Sequence, residues 1–256
     1  MPIDLNSWKE SADRKPGELN VLTINGVEFR MRWVPAGTFV MGGSASDHGS
    51  HNVTLTRGFW LMETEATQEM WTAVMGSNPS AFEGAKNPVD SVTWAEACEF
   101  AEKLTSLAAG LTFALPTEAQ WEYACRAGST TQSSFGDVLT SAQCNCSGDY
   151  PYGTDEKGPT VGKTTPVGSY PANAWGFFDM HGNVWEWTQD VYGPYSTEPQ
   201  TDPVGPEKGT RRVLRGGSWN DGAGSCRSAY RGSSVGPEGL VRRYAYNGVR
   251  LALTAK

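Results

Sequence analysis

The chain is predicted to fold as one loop-rich α+β domain, with short twisted β-sheets and only a few helices. Three observations point there. Thirty glycines and fifteen prolines are spread through all 256 residues, a pattern that calls for many tight turns and ordered loops. Two Thr-x-x-Glu/Gln boxes mark helix starts, at Thr93 with Glu96 and at Thr117 with Gln120. The apolar runs elsewhere are short and alternating, as strands are. Ten Trp, nine Tyr and nine Phe can supply much of the core although only 38% of the residues are hydrophobic.

In chain order, Val27–Val34 alternates, Pro35-Ala36-Gly37 turns, and Thr38–Met41 returns, which reads as a β-hairpin. A polar loop from Asp47 to Asn52 precedes the strands Val53–Thr56 and Phe59–Met62. Thr67 starts a helix over Gln68–Met75 that Gly76 closes. The second helix follows Thr93, with Ala97, Ala101, Leu104 and Ala108 on one face, and ends at Gly110. The third follows Thr117 and carries Trp121, Ala124 and Cys125, ending by Gly128. Ala127 to Asn173 shows no periodicity, and a loop that long inside a compact domain is usually functional or held by a ligand. Val184–Trp187, Val213–Arg215 and Gly248–Leu253 read as the last strands. No linker divides the chain, so 25–256 is taken as one domain behind an N-terminal extension, 1–24.

A net charge of −7 argues against general nucleic-acid binding, which needs a basic stripe. The arginines of the tail, Arg211, Arg212, Arg215, Arg227, Arg231, Arg242, Arg243 and Arg250, are read instead as structural ion-pair partners. No window approaches the ~20 apolar residues of a membrane span, so membrane attachment is expected only through a leader outside these residues. The five cysteines are an odd number, with no CxxC pair and no zinc spacing. Cys98 and Cys125 fall on apolar helix faces, as buried free thiols do.

Six segments in order carry a family resemblance: Trp33–Gly42 (WVPAGTFVMG), Asn87–Trp94 (NPVDSVTW), Leu115–Ala124 (LPTEAQWEYA), His181–Trp187 (HGNVWEW), Arg215–Trp219 (RGGSW) and Gly248-Val249-Arg250. Together they resemble the formylglycine-generating-enzyme, or sulfatase-modifying-factor, family from about residue 25 to 254. The resemblance implies a C-type-lectin-like fold. It also implies a test for catalysis, because the family's oxidases bind copper through two cysteines five residues apart, just after the Arg-Gly-Gly-Ser motif. Here the second position is Cys226 and the first is Asp221. A lone thiolate does not supply the two sulfurs that linear copper(I) requires, so Cys226 is read as a packing thiol, copper is not expected, and the chain is expected not to be an enzyme. His48, His51 and His181 offer no iron-ligand set of the kind other relatives use.

The resemblance further implies a Ca²⁺ site, with side-chain oxygens from Asp179 and Glu186 and main-chain oxygens from Gly182 and Val184, a donor set suited to a hard cation. The family's second calcium site would start near Asn145, but its downstream Asp falls on Pro159.

From Trp219 to Asn247 a fixed frame persists: Ser218-Trp219, Cys226-Arg227-Ser228-Ala229, Arg231, Pro237-Glu238 and Asn247–Arg250. Between these stand small and aromatic fillers, and the pattern looks like the variable proteins of diversity-generating retroelements, including those of spirochaetes. Such systems randomise adenines in Asn-type codons, which cannot yield Lys, Gln, Glu, Met or Trp. Residues 220–247 contain no Lys, Gln, Met or Trp, and their one Glu, Glu238, belongs to the frame. Tyr, Ser and Gly are also the residues of adaptable binding surfaces.

The expected function is therefore a non-catalytic, exported, lipoprotein-like display protein, monomeric, binding a protein or other macromolecule through residues 219–248. Tyr230, Tyr244 and Tyr246 are the expected aromatic anchors. Asp221, Gly222, Ser225, Ser233, Ser234, Val235, Leu240 and Arg242 are the remaining contacts. The alternatives are a copper oxidase acting through Cys226, and a regulatory domain that binds another protein through its Trp-rich face.

Overall fold

The structure, a computed structural model, describes residues 4–11, 13–43, 49–235 and 243–255. Its first hairpin differs from the one the sequence predicts. Strand β1 (Leu19–Ile24) pairs antiparallel with β2 (Val27–Val34). They join through Asn25-Gly26, whose φ values of 49° and 82° suit a two-residue turn of the I′ kind. The other edge of β2 is taken by β5 (Phe59–Met62). Nothing is left for the expected return strand, and β3 (Gly37–Gly42) pairs instead with β4 (Ser50–Leu55) in another sheet. The residues read as an extension thus belong to the fold. Trp8 is buried, its ring meets Trp60 edge-on at 5.2 Å, and its carbonyl accepts from the Trp60 indole.

The three helices form where the threonine caps predict them: α1 (Gln68–Met75), α2 (Trp94–Leu107) and α3 (Glu118–Arg126). In α2, Thr93 Oγ1 accepts from the Glu96 N–H at 3.3 Å, and the Glu96 carboxylate accepts from the Thr93 N–H at 3.0 Å. Each such cap is worth about 1 kcal/mol. The remaining strands are β6 (Leu111–Ala114), β7 (Trp185–Val191), β8 (Gln200–Thr201), β9 (Arg211–Arg215), β10 (Gly232–Val235), β11 (Asn247–Gly248) and β12 (Ala252–Ala255).

The strands make a five-stranded sheet (β1-β2-β5-β12-β6), a four-stranded sheet (β10-β9-β7-β11) and a three-stranded sheet (β3-β4-β8). The single strand expected over Gly248–Leu253 is in fact two. Its start pairs with β7 and its end with β5 and β6, with buried Arg250 between. The long segment after α3 is irregular, as expected, and is tied down by isolated bridges such as Asn145 to Gly182 and Ser147 to Gly222.

Arg215, Arg231, Arg243 and Arg250 of the tail form structural ion pairs, whereas Arg211 and Arg212 donate to the carbonyls of Ser233 and Gln189. Helix α3 points two acids inward: Glu118 takes both Nε (2.6 Å) and an Nη (2.8 Å) of Arg231. Glu122 pairs with Arg215 and with Arg126. At the edge, Arg243 pairs with Glu96. The LPTEAQWEYA and RGGSW segments therefore meet in space as charge partners through Glu122 and Arg215, and GVR meets HGNVWEW through Arg250 and Glu186.

Candidate functional site: the tail groove and the thiols beneath it

Strand β10 is hydrogen-bonded to β9, and β11 to β7. This folds the tail back over Trp185 and leaves a groove of about 390 Å³. Six of the eleven expected contact residues line it: Asp221, Tyr230, Ser233, Ser234, Tyr244 and Tyr246. Tyr244 and Tyr246 stack at 5.0 Å with planes 16° apart, and Tyr230 lies 6.1 Å from Trp185. Gly232 has no room for a side chain, because a Cβ there would stand 2.7 Å from the Trp185 ring. Ser225 sits in a short 3-10 helix, Ala223–Cys226, and does not line the groove. Gly222 does not line it either, and faces Tyr150. Leu240, Arg242 and the side chain of Val235 lie outside the described residues.

The sequence reading missed the groove's other walls: Trp185, Arg211, Leu214, Asn220 and Asn247. Trp185 was visible within HGNVWEW, but only the sheet places it there. Asn247 is buried, and its Oδ1 has no hydrogen-bond partner.

Asp221, which stands where the family's first copper cysteine would, has a structural role. Its Oδ2 accepts from the Trp185 indole N–H at 2.9 Å and from the Ser218 hydroxyl. It fixes a groove wall.

One expectation is overturned at this point. Cys226 is not a lone thiol. Cys144 and Cys146 pack against it in a buried cluster with Leu139 and Ala223. The Cys-Asn-Cys segment is brought there by the bridge from Ser147 to Gly222, with the Ser147 N–H donating to the Asp221 carbonyl at 2.7 Å. The Cys144 and Cys226 thiols donate to the carbonyls of Thr140 (3.6 Å) and Gly222 (3.8 Å); the closeness of these two sulfurs pulls the Cys146 thiol down to about 4, while their own thiols are pushed up. All five cysteines are free thiols. Cys125 is buried as expected, whereas Cys98 is only partly so. His181 closes the far side of this region. Its Nδ1 lies 2.7 Å from the Cys226 carbonyl and its Nε2 accepts from the Ser134 N–H at 3.1 Å, so the ring is neutral with its proton on Nδ1. Burial lowers its pKa to about 4.

The calcium set fits poorly as it is placed. Glu186 Oε1 and Oε2 both accept from Arg250, at 2.8 to 3.0 Å, and Oε2 also accepts from the Trp121 indole at 2.7 Å. Asp179 Oδ2 accepts from the Gly168 N–H at 2.6 Å. A guanidinium thus neutralises the carboxylate that a cation would need, and unlike charges already fill its lone pairs. A further acid, Glu65, crowds this centre. Glu65 accepts from Val184 N–H and Asn183, and burial first, then Asp179 and Glu186, push its pKa well up. Burial raises Asp179 to about 6. Among the described residues no group of three or more His, Cys, Asp or Glu is arranged to hold a metal ion.

Comparison with known proteins agrees with this architecture. The sulfatase-modifying factor enzyme 1-like domain matches residues 26–255. The formylglycine-generating enzyme of Streptomyces coelicolor is 39% identical over 175 residues, which is 62% of this chain and 53% of that one. The chain thus matches about half the length of that enzyme. The chaperone protein LppX of Paenibacillus barcinonensis is 30% identical over 245 residues, covering 78% of this chain and 84% of that one. Among solved structures, Treponema denticola variable protein 1 superposes with a TM-score of 0.79 at 28% identity, covering 91% of this chain and 98% of the other. PvdO from Pseudomonas aeruginosa superposes at 0.75 with 24% identity, which speaks for the fold alone. The chain belongs to the sulfatase-modifying-factor, or formylglycine-generating-enzyme, family, and its α+β fold is the loop-rich, C-type-lectin-like one of that family.

Proposed function

We propose that this protein is a non-catalytic display scaffold whose tail groove binds a protein or other macromolecular ligand, with the filler positions between residues 220 and 247 free to vary. One observation carries the reading. Every described frame residue from Cys226 onward is buried, namely Cys226 to Ala229, Arg231 and Asn247 to Arg250. Every described filler position except Ala223, including Asp221, Tyr230, Ser233, Ser234, Tyr244 and Tyr246, keeps part of its surface. Burial separates the two sets as a diversified surface on a constant core requires. Rigid aromatic area beside small hydroxyl side chains suits such recognition. The likeness to Treponema denticola variable protein 1 supports the same reading; export and display at the cell surface are part of the proposal. Sequencing sister copies of the gene tests it. Differences should cluster at codons 220–247 and spare the frame, and differences scattered through the core strands would overturn it.

The thiols beside Cys226 favour a second reading, copper-dependent oxidation of a substrate cysteine. Relatives named as formylglycine-generating enzymes support it. Copper-loaded protein given oxygen and a cysteine-containing sulfatase peptide should then yield an aldehyde. No product, with no effect of Cys226→Ala, removes that reading.

A further inference from the structure

The most unusual chemistry in the molecule lies under the groove. Three thiols from two distant segments are packed together with only Leu139 and Ala223 as buried apolar neighbours. Backbone contacts fix both segments. Ser147 N–H reaches the Asp221 carbonyl at 2.7 Å, and Ala223 N–H reaches the Tyr150 carbonyl at 2.9 Å. On the other side, Gly217 lies so close that a Cβ there would come within 2.5 Å of the Cys226 sulfur. The three sulfurs are therefore held together in one buried cluster. Nothing in a purely apolar packing role requires three of them.

We propose that Cys146 and Cys226 form a redox pair: hydrogen peroxide joins them in a disulfide that fastens the 144–147 segment to the tail beneath the groove. Cys146 is the attacking sulfur, because the Cys144 and Cys226 thiols donate to the carbonyls of Thr140 and Gly222, at 3.6 and 3.8 Å, and so point their protons away from it. Its thiolate attacks one peroxide oxygen, the O–O bond breaks, and the departing hydroxide takes a proton to become water, leaving a sulfenic acid. Cys226 then gives up its thiol proton and attacks the sulfenic sulfur. The S–O bond breaks, and the leaving hydroxide takes that proton as a second water. Two thiols are oxidised by two electrons in all, and one peroxide is reduced to two waters.

Cys226 is the resolving partner rather than Cys144, because Cys144 and Cys146 share one short segment and a bond between them would strain it. Burial of all three sulfurs limits the oxidant to something near the size of water. Bulky thiol reagents are excluded from the native protein.

The test uses the full chain, reduced, desalted and kept with a copper chelator. One half receives hydrogen peroxide, then catalase. Both halves are unfolded, alkylated and digested with trypsin, which releases residues 127–157 with Cys144 and Cys146, and residues 216–227 with Cys226. The expected result is a linked pair of these peptides, lighter than their sum by two hydrogens, present only after peroxide and lost on adding dithiothreitol. Cys98 and Cys125 should stay alkylated. In Cys226→Ala the link should vanish and dimedone, present as the protein is unfolded, should label Cys146, while Cys144→Ala should still form the link. Peptide 216–227 recovered fully alkylated from peroxide-treated wild-type protein would overturn the proposal without recourse to any variant. So would a link that survives Cys146→Ala. The proposal stands apart from the display function, and neither result bears on sister-copy variation.

Discussion

Replacing Arg250 by methionine probes the centre on which the tail rests. Arg250 is fully buried and makes three bonds to Glu186, two to the carbonyls of Met62 and Glu63, and one to the carbonyl of Phe178. Methionine fills similar space but donates nothing. Glu186 would then be a buried carboxylate with the Trp121 indole as its one remaining donor among these contacts. Removing one partner of a buried pair typically costs about 3–5 kcal/mol. The variant's cheapest escape is to protonate Glu186. For an ordinary glutamate at pH 7 that costs roughly 3.7 kcal/mol, from a gap of about 2.7 pH units at about 1.36 kcal/mol each. The two routes to the magnitude agree. Urea unfolding of Arg250→Met should therefore show a loss of about 4 kcal/mol at pH 7, a large share of a typical domain's ~5–15 kcal/mol. At pH 5 the charge-related part should shrink to about 1 kcal/mol, leaving the cost of the carbonyls that lose Arg250, of which that of Glu63 still accepts from the Phe178 N–H. Glu186→Gln together with Arg250→Met should abolish that pH dependence. The exposed pair of Arg243 with Glu96, whose side chains are 48% and 26% exposed, is the control, and Arg243→Ala should cost under about 1 kcal/mol. A loss below 1 kcal/mol for Arg250→Met, or one that does not change with pH, would refute the reasoning.

Three further outcomes follow from the same geometry. Burial, with Glu118 alongside, pushes Asp190 up to about 7. A carboxyl whose folded value is raised contributes stability at low pH that is lost as pH rises through that value. Asp179, at about 6, acts in the same direction. His181, lowered to about 4, acts oppositely, losing stability as pH falls from the usual histidine range toward 4. Asp190→Asn keeps an acceptor for the Glu118 N–H and should raise the Tm at pH 8, with a gain that fades toward pH 5. A gain that persists unchanged at pH 5 would contradict the assignment. Because Arg250 holds Glu186, EDTA should leave the Tm unchanged. A calcium ion held at ~100 times its Kd would add roughly 3 kcal/mol, and a fall of several degrees would show that calcium competes successfully with the guanidinium. Gly182 has φ of 83°, and a Cβ there would stand 2.3 Å from the Asn145 carbonyl oxygen. Gly182→Ala should therefore cost at least about 2 kcal/mol in equilibrium unfolding, and an unchanged midpoint would contradict the close approach.

By itself the sequence determined whatever depends on neighbours a few residues apart. Thr67, Thr93 and Thr117 announce their helices because a cap bonds to a backbone N–H within the same turn. The alternation of Val27–Val34 announces a strand for the same local reason. Partner choice was not legible. Which strand joins β2 depends on edges that only the assembled sheet exposes, although Asn25-Gly26 was a turn signal present in the chain. Cys146 and Cys226 stand eighty residues apart, and no spacing rule relates them. The segment after α3 follows no periodicity, so only its bridges to Gly182 and Gly222 bring the Cys-Asn-Cys sulfurs beneath the tail. Arg250 likewise takes the carboxylate that the family pattern offered to calcium, because a guanidinium reaching in from the far end of the chain satisfies it first.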